Sequence, residues 1–276
     1  MSVFLCPVCR EPLTENAAGL VCPAGHAFDR ARSGYVNLLT ARGGGNHGDD
    51  RLMVRARRAF LDGGFYAPLA QALSDAALRY AVPGVRVLDA GCGEGYYTSL
   101  VRQTLEEAGK APKVFGVDIS RDALTLAGRR DKALELAVAS IYGLPLPDRC
   151  CDLLLSVFSP LCRDEFCRVL TPGGIWLLVY PLAEHLWELK AAIYDEPYPN
   201  RPDPDEQEGF ALLEKRELRF PITLPDRETI ENLFMMTPYY YKTSRRDQEK
   251  LSSLTSLTTQ AAFAVCAYRL QPKTGT

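Results

Sequence analysis

Two groups of residues in this chain of 276 have types and spacings that do chemistry. The first is Cys6-Pro-Val-Cys9, then twelve residues, then Cys22-Pro-Ala-Gly-His26. Two short knuckles of this form bring three thiolates and one imidazole to tetrahedral zinc. Four protein ligands leave no open coordination position, so the metal is expected to be structural. A segment this short holds too little apolar material to fold alone, and metal binding would supply its folding free energy. Four unrelated buried side chains are the alternative, against which stand the tight spacing and the Pro or Gly turn in each knuckle. The second group lies in Val85-Arg-Val-Leu-Asp89-Ala-Gly91-Cys-Gly93-Glu94-Gly95-Tyr96-Tyr97. An apolar β-rich run ends at an acid, turns through three glycines and enters a stretch, 98–107, that reads as a helix. Glycine suits such a turn because it adopts unusual backbone angles and lets a ligand lie against the main chain. A nucleotide-like ligand is the natural occupant.

Spacing decides which nucleotide. A dinucleotide site needs G-x-G-x-x-G, but Tyr96 stands where the third glycine would fall. The D-x-G-x-G-x-G order after a strand instead resembles the first motif of the class I methyltransferases, in which the loop lies against the amino acid part of S-adenosylmethionine. Further on, Val114-Phe-Gly-Val-Asp118 reads as a second strand ending in an acid, the position expected to take ribose hydroxyls. The pair of motifs is far more specific than either alone. Cofactor contacts are therefore expected from Asp89, Gly91, Gly93, Glu94, Gly95, Tyr96 and Asp118. Ala139-Ser140 occupies the place where many of these enzymes carry an acid to the adenine amino group, so here that contact falls to backbone or to Ser140.

The elements that must position these groups alternate as in a doubly wound α/β sheet. Helices are expected over 49–61, 67–80, 226–235 and 245–255, and Ser120 can cap another that carries Ala123, Leu124 and Ala127; strands are expected over 134–138 and 210–224, a fourth within 151–161, a fifth at the end of the helix–turn–strand stretch 168–181, and a last, antiparallel strand at 261–270. The carboxyl ends of parallel strands at a switch point are where ligands meet. Phe158-Ser159-Pro160 should therefore border the transferred methyl. Enzymes that methylate exocyclic amines of adenine or cytosine typically carry Asp or Asn, Pro-Pro and an aromatic there, and that tetrapeptide is absent. His185, after the fifth strand, could reach cofactor or base, although a histidine at a helix start is commonly a surface group. Residues 195–208, rich in Pro and acid, read as a substrate-side loop, and 235–241 as an aromatic cluster that stacks on a base or fills the core.

Nine cysteines, an odd number, and no signal peptide or membrane span point to a reducing cytosol and no membrane partner. A formal net charge of −2 gives no global hint of nucleic acid, so a basic surface has to be local. One exists: seven arginines against two acids lie between Arg30 and Arg58, and Arg51, Arg55 and Arg58 share one helix face. Gly43-Gly-Gly-Asn-His47-Gly, within this stretch, reads as a linker or mobile loop. The expected organisation is a zinc module over 1–40, an Arg-rich linker with helices over 41–80, and the methyltransferase domain over 81–276.

The order of motifs, namely the Cys/His module, Gly34-Tyr35-Val-Asn37-Leu-Leu, Arg57-Arg58-Ala-Phe-Leu, Asp89 to Tyr97, His185-Leu-Trp-Glu-Leu and Met236-Thr-Pro238, resembles the bacterial 23S ribosomal RNA guanine-N1 methyltransferases over nearly the whole chain. The resemblance implies a Rossmann-like domain binding S-adenosylmethionine, a zinc module gripping an RNA hairpin, methylation of a loop guanine, and a cytoplasmic homodimer. It carries zinc ligation to Cys6, Cys9, Cys22 and His26, and cofactor contacts to Tyr66, Gly95, Tyr96 and His185. One branch of the family is linked to macrolide resistance, and the tail Leu257-Thr-Thr-Gln resembles that branch. Guanine N1 carries a proton, and His185, Glu184 and Tyr180 are candidate bases by position. A small-molecule methyltransferase and a non-catalytic zinc-ribbon RNA binder are the alternatives; the Arg-rich stretch counts against the former, the intact loop and Asp118 against the latter. On a modular reading, Cys9→Ser abolishes RNA methylation and spares cofactor binding.

Overall fold

In the computed structural model, which describes residues 2–40 and 48–272, a sheet of eight strands organises the chain. The glycine-rich break, Gly48 apart, lies outside the described residues. The N-terminal segment gives β1 (Thr14–Glu15), β2 (Gly19–Val21) and β3 (Ala27–Asp29), a small antiparallel sheet, and then β4 (Val36–Asn37). Helices α1 (Arg51–Asp62) and α2 (Ala67–Tyr80) lead into β5 (Arg86–Ala90), α3 (Tyr96–Glu107), β6 (Lys113–Asp118), α4 (Arg121–Arg130) and β7 (Glu135–Val138). A 3-10 turn over Ile141–Gly143 precedes β8 (Cys151–Val157), α5 (Arg163–Val169), β9 (Leu170–Pro181) and α6 (Trp187–Ile193). The chain closes with β10 (Phe210–Leu224), α7 (Arg227–Met235), α8 (Tyr239–Lys242), α9 (Arg245–Glu249), a second 3-10 turn over Lys250–Ser253, and β11 (Leu257–Leu270).

The strand order is β10-β11-β9-β8-β5-β6-β7-β4, and β11 alone runs against its neighbours. This is the α/β sheet read from the sequence, with its antiparallel last strand. The helix expected over 245–255 is instead broken at Lys250. Ser252 and Ser253 donate their hydroxyls to the carbonyls of Glu249 and Lys250, a local bonding that competes with helix propagation. Side chains set the starts of α1 and α4: Asp50 accepts from the amides of Leu52 and Met53, and Ser120 from Ala123.

Alternation along the strands sends two apolar sets to opposite faces. One, with Val87, Val114, Leu155 and Val179, packs under α1 to α4, α6 and α7. The other, with Leu88, Phe115, Leu154 and Trp176, packs against Phe166 of α5 and against Phe4, Leu13 and Leu20 of the Cys/His segment. The N-terminal segment is therefore part of the second core layer. Further contacts hold it there: β4 pairs in parallel with β7, the Leu5 amide donates to Pro145, and the Arg10 guanidinium donates to the carbonyls of Leu144 and Leu146. A Cβ on Gly128 of α4 would sit 2.0 Å from the Ser33 carbonyl, so that approach requires glycine.

Candidate active site and metal centre

The switch point of the sheet lies between β5 and β8, where the strand order reverses. Outside the carboxyl ends of β5 to β9 a single cavity of about 820 Å³ opens, large for a site of this kind. Its cofactor half is built by the turn after β5. Gly91 has φ of +94°, and a Cβ there would lie 2.5 Å from Ser159 Cβ, so only glycine brings the loop against the end of β8. Asp89 is buried; its Oδ2 accepts from the Thr98 hydroxyl at 2.6 Å, while Oδ1 has no partner among the described residues. Burial pushes its carboxyl up to about 7. Glu94, also buried, binds the Arg130 guanidinium through Oε2 and leaves Oε1 unpartnered among the described residues. Asp118 accepts from the Gly93 and Ser120 amides, both at 2.8 Å. Burial raises the carboxyl pKa of both Glu94 and Asp118.

Three acids, two of them buried and each of those two with an orphaned oxygen, leave an acidic lining short of a cation. The ammonium and sulfonium of S-adenosylmethionine meet that need, and the bare backbone turn accepts its amino acid part. Ile119, Ser140 and Tyr142 continue the wall toward the β7 end. Ser140 Oγ accepts from the Tyr142 amide and starts the 3-10 turn. Every cofactor residue expected from the sequence lines this cavity except Gly95, which starts α3 with left-handed geometry beside it.

The acceptor half is assembled from distant segments: Arg57, Tyr66, Phe158 to Pro160, Tyr180, His185, Asn200, Asp203, Met236 to Tyr239 and Tyr241. Phe158 holds φ of +55°, a costly conformation for a bulky residue, and is 47% exposed at the rim. Tyr241 is 62% exposed on the same wall. Sequence reasoning missed Asp49, Asn200 and Asp203; the Pro-rich loop was the signal for the last two. Arg57 turns inward and pairs with Asp49, whereas Arg51 and Arg55 are exposed and make no ion pair among the described residues.

The expected bases are placed as follows. His185 is buried, its Nδ1 accepts from the Ala262 amide at 3.2 Å, and Nε2 faces the Tyr66 hydroxyl at 3.4 Å. Burial pushes its imidazole down to about 3, so it is neutral and its free lone pair is already used. Tyr180 donates to Asp205 at 2.8 Å, and burial raises its hydroxyl pKa far above the usual range. Glu184 lies outside the cavity wall, tied to Arg219. Each of the three candidate bases thus already has a partner in the structure: an amide and a hydroxyl for His185, a carboxylate for Tyr180 and a guanidinium for Glu184.

At the other end of the chain the four zinc donors converge. Cys22 Sγ stands 3.3 Å and Cys6 Sγ 3.6 Å from His26 Nδ1, Cys9 Sγ stands 3.6 Å from Cys22 Sγ, and all four atoms lie within 4.8 Å of one another. A tetrahedron of sulfurs at about 2.3 Å from zinc has edges of roughly 3.8 Å. The knuckles are closed by Arg10 and Gly25, both left-handed, whose amides donate to the Cys6 and Cys22 carbonyls. The donor set fits zinc, and with no open position its role is structural.

A cavity at the switch point of this sheet, walled by an acid-tipped glycine turn and a second acid, defines a class I S-adenosylmethionine-dependent methyltransferase. Comparisons with known proteins agree. The RlmA N-terminal zinc-ribbon model matches residues 4–43 and a methyltransferase domain model residues 81–223. The 23S rRNA (guanine(748)-N(1))-methyltransferase of Streptomyces fradiae is 40% identical over 191 residues, 68% of this chain and 66% of that protein. A putative 23S rRNA (guanine-N(1)-)-methyltransferase of Bacillus subtilis is 34% identical over 247 residues, 86% of each chain. The YcgJ protein of the same genus, 14% identical with a TM-score of 0.50, covers 73% of this chain and 99% of its own, a likeness of fold alone. The chain belongs to the 23S rRNA (guanine-N1)-methyltransferase family, with S-adenosylmethionine as cofactor and a structural zinc. Among the described residues no helix is long and apolar enough to cross a membrane.

Proposed function

We propose that this protein transfers a methyl group from S-adenosylmethionine to N1 of a guanine in a hairpin loop of 23S ribosomal RNA. The observation that carries the reading is the continuity of the cavity, which joins the acid-lined glycine turn to a rim of exposed rings, Phe158 and Tyr241. A base splayed from a loop stacks on such rings and enters the site edge-on. Bound cofactor supplies an electrophilic methyl on a sulfonium leaving group.

The protein's own share is placement. Asp89 and Glu94 are suited to the cofactor ammonium, Asp118 to the ribose hydroxyls, and Ser140 with the neighbouring backbone to the adenine. Tyr66 and His185 form a neutral floor beneath the reacting atoms, which holds shape without adding charge. Holding nucleophile, methyl and sulfur in line in a site that excludes water supplies much of the rate. Ser159 spends its hydroxyl on the Ala90 carbonyl and on Ser156, so nothing acidic stands at the end of β8 to draw in an exocyclic amine. The zinc ribbon and the exposed arginines of α1 are suited to the RNA backbone, the work would be cytoplasmic, and a homodimer is the family expectation, readable by sedimentation.

The test is primer extension on 23S ribosomal RNA treated with protein and cofactor, because an N1-methyl group blocks the pairing edge and stops the polymerase. One new stop at a hairpin guanine is expected, at the position numbered 748 if this chain shares the target in the Streptomyces fradiae relative's name. No stop with cofactor bound would turn the reading to another acceptor.

A further inference from the structure

Methylation of guanine at N1 releases the proton that N1 carried, and the three bases named by position are occupied. Five carboxylates line the cavity. Asp49 is paired with Arg57, Asp89 with Thr98, Glu94 with Arg130, and Asp118 with two backbone amides; all four surround the cofactor loop or the start of α4. Asp203 is different. It is half-buried in the acceptor wall and makes no hydrogen bond or ion pair among the described residues.

The loop between α6 and β10 that carries Asp203 is held on both sides. Before it, the fully buried Lys190 donates to the Tyr198 carbonyl at 2.8 Å and to Asn200 Oδ1 at 2.7 Å, its ammonium lying 4.8 and 5.0 Å from the ring centres of Tyr198 and Tyr239. Asn200 in turn donates to the carbonyls of Leu182 and His185. After it, Tyr180 donates to the Asp205 carboxylate, Tyr268 to the Asp205 carbonyl, and Arg163 to Gln207. Pro202 and Pro204 flank the residue and restrict its backbone. An unpartnered carboxylate, fixed at both ends and facing the acceptor space, is prepared to act on a substrate.

We propose that Asp203 accepts the N1 proton of the target guanine. The inference rests on the guanine-N1 reading above. In the step, the N1 lone pair forms the N–CH3 bond, the methyl–sulfur bond breaks with its electron pair going to sulfur, and the N1 proton passes to an Asp203 carboxylate oxygen. The products are N1-methylguanine, a neutral thioether and a carboxylic acid that returns its proton to water. Burial raises the proton affinity of Asp203, the direction a base requires, and the Arg163 cation on α5 opposes that rise. Tyr268 on β11 interacts electrostatically with the residue, Tyr180 on β9 lines the same cavity, and both stay neutral because burial raises their hydroxyl pKa values; Asp205 stays ionised against Lys215.

The experiment compares wild type, Asp203→Asn and Asp203→Glu on a 23S hairpin RNA, with product identified by mass spectrometry and cofactor affinity by calorimetry. Asp203→Asn should lower kcat at neutral pH by about 10²- to 10⁴-fold, with KM for RNA and cofactor affinity changed less than about twofold. Its deficit should shrink as pH rises and solvent takes over, and Asp203→Glu should recover part of the rate. Unchanged kcat and pH profile in Asp203→Asn, or a loss confined to KM, overturns the inference while the guanine-N1 reading stands. Wild type that yields no N1-methylguanine overturns both.

Discussion

The two halves of the cavity are made differently. The cofactor half comes from one strand–turn–helix unit and the ends of the next two strands, within residues 89–97, 118–119 and 139–142, and its acids are paired or waiting for a cation. The acceptor half is drawn from six separate stretches between residues 57 and 241, is lined largely by neutral tyrosines and a neutral histidine, and reaches the surface. The first half binds a fixed ligand with fixed charge. The second has to admit a polymer and release it, and this favours rings, loops and few charges.

Breaking the first half should give the largest effect. Gly91→Ala adds a Cβ at positive φ and against Ser159, for which strain and overpacking together cost about 2–6 kcal/mol. Cofactor affinity by calorimetry should fall by roughly 10³-fold. Acidity separates the halves next. A carboxyl raised to about 7 in the fold, as at Asp89, stabilises the cofactor-free protein below the ordinary carboxylate range, and that stability is lost as pH rises toward 7. His185, lowered to about 3, does the reverse: its contribution is whole above about pH 6.5 and is lost as pH falls toward 3. Thermal melts should therefore show Asp89→Asn flattening the decline between about pH 4 and 7, and His185→Asn the decline below about 6.5, each by about 1.4 kcal/mol per pH unit.

The metal centre reports on the cofactor half as well. Because the ribbon packs on the sheet beside the 144–146 stretch, Cys9→Ser should weaken cofactor binding about tenfold as well as abolishing RNA methylation, contrary to the modular expectation; unaltered affinity would restore the modular view. Lys190→Met should act on the other half alone, lowering kcat on RNA about tenfold through a loosened loop, while cofactor affinity stays within about twofold; the loss of its bonds amounts to about 1–3 kcal/mol. Smallest is Arg55→Ala, an exposed residue, with stability changed by less than about 0.5 kcal/mol and the slope of log affinity for RNA against log salt reduced by about one.

What could be read from the sequence follows the same division. Asp89, the glycines and Asp118 were legible because a local motif fixes their geometry. The zinc ligands were legible because knuckle spacing is a local property too. Their docking was not: Phe4, Leu13 and Leu20 look like a private core for a small module, and only the sheet shows that they cover Leu88 and Phe115. His185 was readable as a residue near the rim, but its burial depends on the Ala262 amide, 77 residues away. Arg51 and Arg55 followed helical periodicity outward as expected, whereas Arg57 turned in because Asp49 and the loop at Gly93 stand beside it. Asp203 carries no motif at all.

The pairing of β4 with β7 joins Val36 to Ala137, and so bears on synthesis. At about 5–20 residues per second, the ribbon leaves the ribosome some 5–20 seconds before the strand it docks on exists. Through that interval its apolar side chains have no sheet to cover, and the metal is what keeps them folded. Zinc supply during translation, as much as zinc affinity of the finished protein, therefore sets how much of the newly made chain reaches the native sheet.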